Sequence, residues 1–71
     1  MVEESVDLRK ERAKSSTSPV ELEKLAEDKD KDVRYCVAKN KNTPASVLEK
    51  LAEDNHDYVR EAVAENANTS V

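Results

Sequence analysis

The heptapeptide Leu22-Glu23-Lys24-Leu25-Ala26-Glu27-Asp28 occurs twice in this chain, and its second copy, Leu48-Glu49-Lys50-Leu51-Ala52-Glu53-Asp54, starts 26 residues later. Further segments repeat at the same offset: Val33-Arg34 with Val59-Arg60, Val37-Ala38 with Val63-Ala64, Asn40 with Asn66, and Asn42-Thr43 with Asn68-Thr69. A fixed period of roughly 20 to 50 residues is typical of proteins built from repeated supersecondary units. The sequence therefore predicts two tandem repeats, residues 17–42 and residues 43–68.

Each repeat reads as a pair of short helices, because its apolar residues recur at i, i+3 and i+4. In the first helix of the two repeats these positions are Leu22, Leu25 and Ala26, and Val47, Leu48, Leu51 and Ala52. In the second helix they are Val33, Cys36 and Val37, and Val59, Ala62 and Val63. Helices this short are unstable alone, so the pattern predicts an all-α fold, a short α-solenoid in which helix pairs stack on one another.

The helix ends have to be formed without glycine, which this chain lacks. Ser18-Pro19 and Thr43-Pro44 each place a hydroxyl before a proline, a combination typical of a helix start. At the opposite end, Asn40 and Asn66 each follow a second helix. Asparagine tolerates the left-handed conformation better than most other residues, so we expect both asparagines to adopt it.

Two aspartates stand where the helix dipole disfavours a negative charge, since Asp28 and Asp54 end the first helices. A cationic partner is therefore expected for each. Arg34 and Arg60, six residues further along, are the obvious candidates, either within one repeat or between neighbouring repeats. The predicted role of these pairs is structural, because paired charges in repeat proteins fix geometry more often than they bind ligands.

The repeat pattern resembles a known family of helical repeats. The residues that carry the resemblance are Asn42-Thr43-Pro44, Leu48, Leu51-Ala52, Asp54, Val59-Arg60, Ala62-Val63-Ala64, Asn66 and Asn68-Thr69. Over residues 17–71 this pattern is similar to the leucine-rich repeat variant family, a relative of HEAT and armadillo repeats. The resemblance implies a right-handed superhelix in which one helix of each pair is α or 3₁₀, and it implies little about activity. Iron–sulfur chemistry, which accompanies some such repeats, needs several cysteines, whereas this chain has one.

The two ends of the chain differ from the repeats. In residues 1–16, Leu8-Arg9 echoes Val33-Arg34 and Ala13-Lys14 echoes Ala38-Lys39. Glu11 and Arg12, however, stand where Cys36 and Val37 would be, so one side of the segment is polar. A polar outer face is expected of a helix that caps an array, so this segment is predicted to be an amino-terminal capping helix. Residues 69–71 repeat the start of a first helix and are interpreted as the beginning of a third repeat.

A repeat without a successor is expected to leave apolar surface open, because about three repeats are normally needed to complete a core. We therefore expect the face led by Val59 and Val63 to be partly open. Tyr58 stands where the first repeat has Asp32, and it is either a cover for the helix junction or a recognition residue. Tyr58, Val59, Val63 and Val71 form the predicted interaction surface.

Three features point weakly to chemistry, and each has a simpler structural explanation. Asp28, Asp30 and Asp32 have the spacing that begins a calcium loop, but the glycine and the final glutamate of that loop are missing. His56-Asp57 resembles half of a metal-binding pair, yet the chain has a single histidine. Cys36 aligns with an alanine, which favours a buried structural thiol over a reactive one.

Composition narrows the functional classes. A net charge of −4 repels the phosphate backbone of nucleic acids on average. No stretch resembles a secretory signal or a membrane span, so a cytoplasmic setting is expected.

The sequence thus predicts a non-catalytic helical-repeat module without cofactor or metal, whose role is protein–protein interaction. The partner is expected to be another protein or adjoining repeats of a parent chain, and self-association through the open carboxyl-terminal edge is a further option. One alternative is an architectural spacer within a longer solenoid that binds nothing else. A second alternative, disfavoured by the charge, is a helical array that binds nucleic acid.

Overall fold

The computed structural model describes residues 4–66, and this part of the chain consists of five α-helices connected by turns. They are α1 (Val6–Ser15), α2 (Pro19–Leu25), α3 (Lys31–Lys39), α4 (Ala45–Leu51) and α5 (Asp57–Glu65). No strand occurs among the described residues, so the prediction of an all-α chain is confirmed. The bounds of α4 and α5 follow those of α2 and α3 by 26 residues, and both second helices are α rather than 3₁₀.

The longer helices lie side by side in the order α1, α3, α5, and α3 makes its most extensive contacts with the other two. Each shorter helix packs on the longer helix that follows it, α2 on α3 and α4 on α5. Since α3 also contacts α4, both copies of the sequence repeat share one interior.

The core is formed mainly by the two predicted apolar stripes, and Ala13 and Ala38 add to it. Its buried members are Ala13, Leu22, Leu25, Ala26, Val33, Cys36, Val37, Ala38, Val47, Leu48, Leu51, Val59, Ala62 and Val63. Tyr35 is partly buried and packs against this cluster. The stripe prediction holds for every position except Ala52, which is exposed.

Helix α1 contributes little to the core. Ala13 is its one fully buried side chain, and Glu11 and Arg12 are exposed, as expected for a polar outer helix. Leu8 is 56% exposed although it aligns with Val33, which is 0% exposed. The sequence similarity between these two positions therefore does not extend to their burial.

The prediction of left-handed asparagines is wrong. Asn40 and Asn66 are extended, with φ of −73° and −78°, and no described residue has a positive φ. The last turn closes instead by a backbone bond from the N–H of each asparagine to the carbonyl three residues earlier. The side chain has a different task, because Asn40 Nδ2 donates to the carbonyls of Ala13 and Ser16, both at 2.9 Å.

Asn66 repeats this arrangement one copy later. Its Nδ2 donates to the carbonyl oxygens of Ala38 at 2.7 Å and of Asn40 at 3.0 Å. Each asparagine thus ties its own second helix to the end of the preceding long helix, and satisfies carbonyls that a helix terminus leaves without a partner.

The helix starts are partly as predicted. Ser18 Oγ accepts a hydrogen bond from the Glu21 N–H, so the predicted cap of α2 is confirmed. Thr43 is not the cap of α4, because Pro44 occupies that position without a side-chain bond. The Thr43 hydroxyl instead donates to the Val37 carbonyl at 2.7 Å and is fully buried. The proline-adjacent hydroxyl of the second copy therefore closes the end of α3.

Replacing Asn40 by glycine is expected to destabilise the chain by about 1–3 kcal/mol, because two buried carbonyls lose their donor. Urea denaturation followed by circular dichroism measures the change. Asn42→Gly, at an exposed position nearby, controls for the greater flexibility of glycine. Unchanged or increased stability of Asn40→Gly would show that the amide hydrogen bonds do not stabilise the fold.

Leu48→Ala is expected to cost about 2–5 kcal/mol, because the Leu48 side chain is 1% exposed and its loss leaves a cavity. In so small a domain this is enough to remove most of the helical circular dichroism at room temperature. Val20→Ala, at a side chain that is 66% exposed, serves as the control and should change the stability by less than about 0.5 kcal/mol.

Candidate interaction surfaces

Arginine–aspartate pairs connect the successive helix pairs, and we call the two of them the ladder. Arg34 donates through Nε to Asp54 Oδ2 at 2.7 Å and through Nη2 to Asp54 Oδ1 at 3.3 Å. Arg9 forms the same two bonds with Asp28, at the same distances. The sequence left open whether each arginine pairs with an aspartate of its own copy or of a neighbouring copy. The structure shows that the ion pairs form between neighbouring copies.

Within a copy, the arginine bonds to the backbone. Arg34 Nη1 donates to the carbonyl of Asp28 at 2.7 Å, and Arg60 Nη1 donates to that of Asp54 at 2.6 Å. The prediction that Asp28 and Asp54 end the first helices is wrong, because α2 ends at Leu25 and α4 ends at Leu51. Both aspartates lie in the following turns, and Arg34 holds the turn of its own copy while it binds the carboxylate of the next.

The ladder changes the acidity of both aspartates. Burial alone would raise the pKa of Asp54, but the hydrogen bonds from Arg34 and from the His56 backbone outweigh it and the pKa lies below its ordinary value. The pKa of Asp28 is lowered in the same way, against its burial, by bonds from the Asp30 backbone and from Arg9. Both groups therefore stabilise the fold in their ionised form.

The third arginine of the series makes one of the three side-chain hydrogen bonds that Arg34 makes. Arg60 aligns with Arg9 and Arg34 and keeps the backbone bond to Asp54, but among residues 4–66 no carboxylate pairs with its Nε and Nη2. Arg60 is exposed, and the guanidinium edge formed by its Nε and Nη2 therefore faces solvent. In Arg9 and Arg34 the same edge binds an aspartate.

Two small apolar residues of the second copy are also more exposed than their equivalents in the first copy. Ala52 and Ala64 are exposed, whereas their counterparts in the first copy, Ala26 and Ala38, are 8% and 0% exposed. We refer to Ala52, Arg60 and Ala64 as the end surface. Each of these three residues is more exposed than the residue 26 positions earlier in the first copy.

The prediction that Val59 and Val63 form a partly open face is wrong, because these side chains are 0% and 3% exposed. Helix α5, which carries both valines, packs against α3 and α4. Val71 lies outside the described residues. The sequence missed Ala52 and Ala64, although their alignment with Ala26 and Ala38 would have identified them.

Tyr58 is 62% exposed and is not a cover for the helix junction. Its ring lies against the His56 ring, with centroids 5.1 Å apart at an angle of 46°. Between α3 and α5 there is an open groove of about 370 Å³. The groove, which we call the tyrosine groove, is lined by Lys31, Asp32, Tyr35, His56, Tyr58, Glu61, Ala62 and Glu65.

The residues considered for metal chemistry have structural tasks. Asp28 pairs with Arg9, and Asp30 caps α3 by accepting from the Asp32 N–H at 2.8 Å. His56 caps α5 in the equivalent way, its Nδ1 accepting from the Tyr58 N–H at 3.3 Å. Over residues 4–66 no group of three or more potential metal ligands converges.

Cys36 is buried, with an exposed fraction of 6%, as predicted. Burial raises the pKa of its thiol, although the charges of Lys14 and Lys10 act in the opposite direction. The thiolate, which is the reactive form, is therefore disfavoured at neutral pH.

In the part of the chain that the structure describes, no helix has the length and apolar character needed to cross a bilayer. Comparison with protein-family models finds no match for this chain, and comparisons with curated proteins and with solved structures find no significant match. The resemblance to leucine-rich repeat variants therefore rests on the sequence pattern alone.

The ladder predicts a specific dependence of stability on pH. Because the folded-state pKa of Asp54 is lowered, its contribution is complete above the unfolded-state pKa of about 3.9 and disappears as the pH falls through the folded-state value. The difference in free energy of unfolding between the native chain and Asp54→Asn should therefore be largest near neutral pH and shrink below about pH 4. Urea titrations at a series of pH values measure it.

The matched control for this series is Asp7→Asn, an exposed aspartate in α1. Its difference from the native chain should stay small over the whole pH range. A difference for Asp54→Asn that does not change with pH would show that the carboxylate charge does not contribute.

Proposed function

We propose that this chain is a non-catalytic interaction module that binds a helix pair of a protein partner through its end surface. The observation that carries the proposal is the guanidinium edge of Arg60, which lacks a carboxylate within the described residues while Arg9 and Arg34 each have one. A partner that supplies a carboxylate here repeats an interaction the molecule already makes twice.

The two interfaces inside the chain define what such a partner needs. Asp54 follows α4, and Asn66, twelve residues later, donates its amide to the preceding long helix. A helix pair with an aspartate after its first helix and an asparagine after its second would place the carboxylate on Arg60 and the amide near the end of α5. Small side chains at Ala52 and Ala64 allow close approach of the partner backbone.

We further propose that the helix pairs form a short α-solenoid of the leucine-rich repeat variant type. Support comes from the 26-residue offset of the helix bounds and from the equal distances in the two rungs of the ladder. In a solenoid each repeat contacts its neighbours alone, and the end repeats carry the exposed interface. A cytoplasmic location is part of the proposal, on the grounds of composition.

The spacer alternative uses the same end surface, but restricts its partner to adjoining repeats of one polypeptide. The ladder supports the spacer as well as it supports a separate partner, because both of its arginine–aspartate pairs form within one chain. Nucleic-acid binding has weaker support, since the net charge is −4 and the end surface carries one arginine.

An extended chain tests whether the end surface accepts a helix pair. A further copy of residues 43–68, joined after residue 68, should raise the urea midpoint of unfolding, because the new aspartate pairs with Arg60. Arg60→Gln should lower stability by about 2 kcal/mol more in the extended chain than in the native one, since it leaves a carboxylate without its partner. Arg12→Gln, an exposed arginine of α1, is the control and should have the same small effect in both.

Equal effects of Arg60→Gln in the two chains would contradict the proposal. To separate a protein partner from the spacer, the native chain is used to retrieve proteins from a lysate of its source cells. Ala64→Arg should abolish retrieval, and Val20→Arg, exposed on α2, should not. If nothing is retrieved and the chain sediments as a monomer, the spacer is the better description.

A further inference from the structure

The tyrosine groove lies between α3 and α5 and shares no residue with the end surface. Both tyrosines of the chain line it, and there is no phenylalanine or tryptophan anywhere in the sequence. Tyr35 packs against the core and provides a fixed wall, whereas Tyr58 stands 62% exposed at the start of α5. Both tyrosine rings of the chain, and the imidazole ring of His56, therefore line the same groove.

The charges around the rings are mainly negative. Asp32, Glu61 and Glu65 line the groove together with one lysine, Lys31. No ion pair forms on these three carboxylates among the described residues, although the chain uses ion pairs extensively elsewhere. These four side chains together carry two negative charges in excess, so the groove complements a cationic group.

A cation also suits the rings themselves. An ammonium or guanidinium within about 6 Å of an aromatic centroid is attracted by the negative face of the ring. The chain contains one such contact, since Lys39 Nζ lies 5.4 Å from the centroid of Tyr35. Arginine adds to this attraction a planar group that stacks on a ring while its N–H groups bind carboxylates.

We infer that the tyrosine groove binds an arginine side chain from a basic peptide segment. The guanidinium stacks on Tyr58 and donates to Glu61, and the aliphatic part of the side chain covers Ala62. The site goes beyond the proposed function, because it uses a different face of the molecule and a partner of different chemistry.

Tyrosine fluorescence reports directly on this site, because both tyrosines line the groove and the chain has no tryptophan. The probe is the blocked tripeptide acetyl-Arg-Arg-Arg-amide, titrated into the full chain at low ionic strength. A saturable change in fluorescence is expected, and acetyl-Lys-Lys-Lys-amide should bind about threefold more weakly because an ammonium does not stack.

Two variants with the same net charge distinguish binding at the groove from nonspecific attraction of a cationic peptide to an acidic protein. Glu61→Gln should weaken binding of the arginine tripeptide about threefold. Glu49→Gln makes the same change of net charge at an exposed position of α4 and should leave the binding nearly unchanged. Both positions are exposed, so circular dichroism should show that both variants fold. The inference is overturned by a change that does not saturate, by equal weakening in the two variants, or by equal affinity for the two tripeptides.

Discussion

The fold depends on the Arg34 side chain, which binds the turns after α2 and α4 at once. Arg34 donates through Nη1 to the carbonyl of Asp28, in the turn after α2, and through Nε and Nη2 to the carboxylate of Asp54, in the turn after α4. The guanidinium supplies the positive charge that the buried part of each turn needs for its aspartate to stay ionised. The short first helices can therefore end without glycine, and successive helix pairs are joined at the same point.

The polar contacts fix the relative position of successive helix pairs, which the apolar core does not fix alone. Leucine, valine and alanine side chains supply the burial, but smooth aliphatic surfaces admit several relative positions of two helix pairs. The forked ion pair and the asparagine amide are directional, and both connect one copy to the next. They therefore select one register, and at Asn40 the amide also satisfies two carbonyls at the end of α1 that would otherwise be left without a donor.

Periodicity was sufficient to predict the helices, the buried stripes and the participation of the aspartates and arginines. It did not predict what each polar residue does, because asparagine at a helix end has two physical uses, a tolerant backbone and an amide donor. It also misplaced the open surface. Val59 and Val63 are buried, whereas Ala52 and Ala64 are exposed. Burial depends on how the helices pack together, which a repeat period does not give. The tyrosine groove arises from residues of both copies and has no counterpart in the repeat pattern.

The equal spacing of the helix bounds has a consequence for how such a chain can change length. Inserting a whole block of 26 residues between α3 and α4 keeps an aspartate opposite an arginine and an asparagine opposite a helix end. Deleting a single residue there would shift Asp54 from its donor Arg34 and Asn66 from its carbonyl acceptors in one step. Duplication of complete blocks thus preserves these contacts, whereas a change of any other length displaces them.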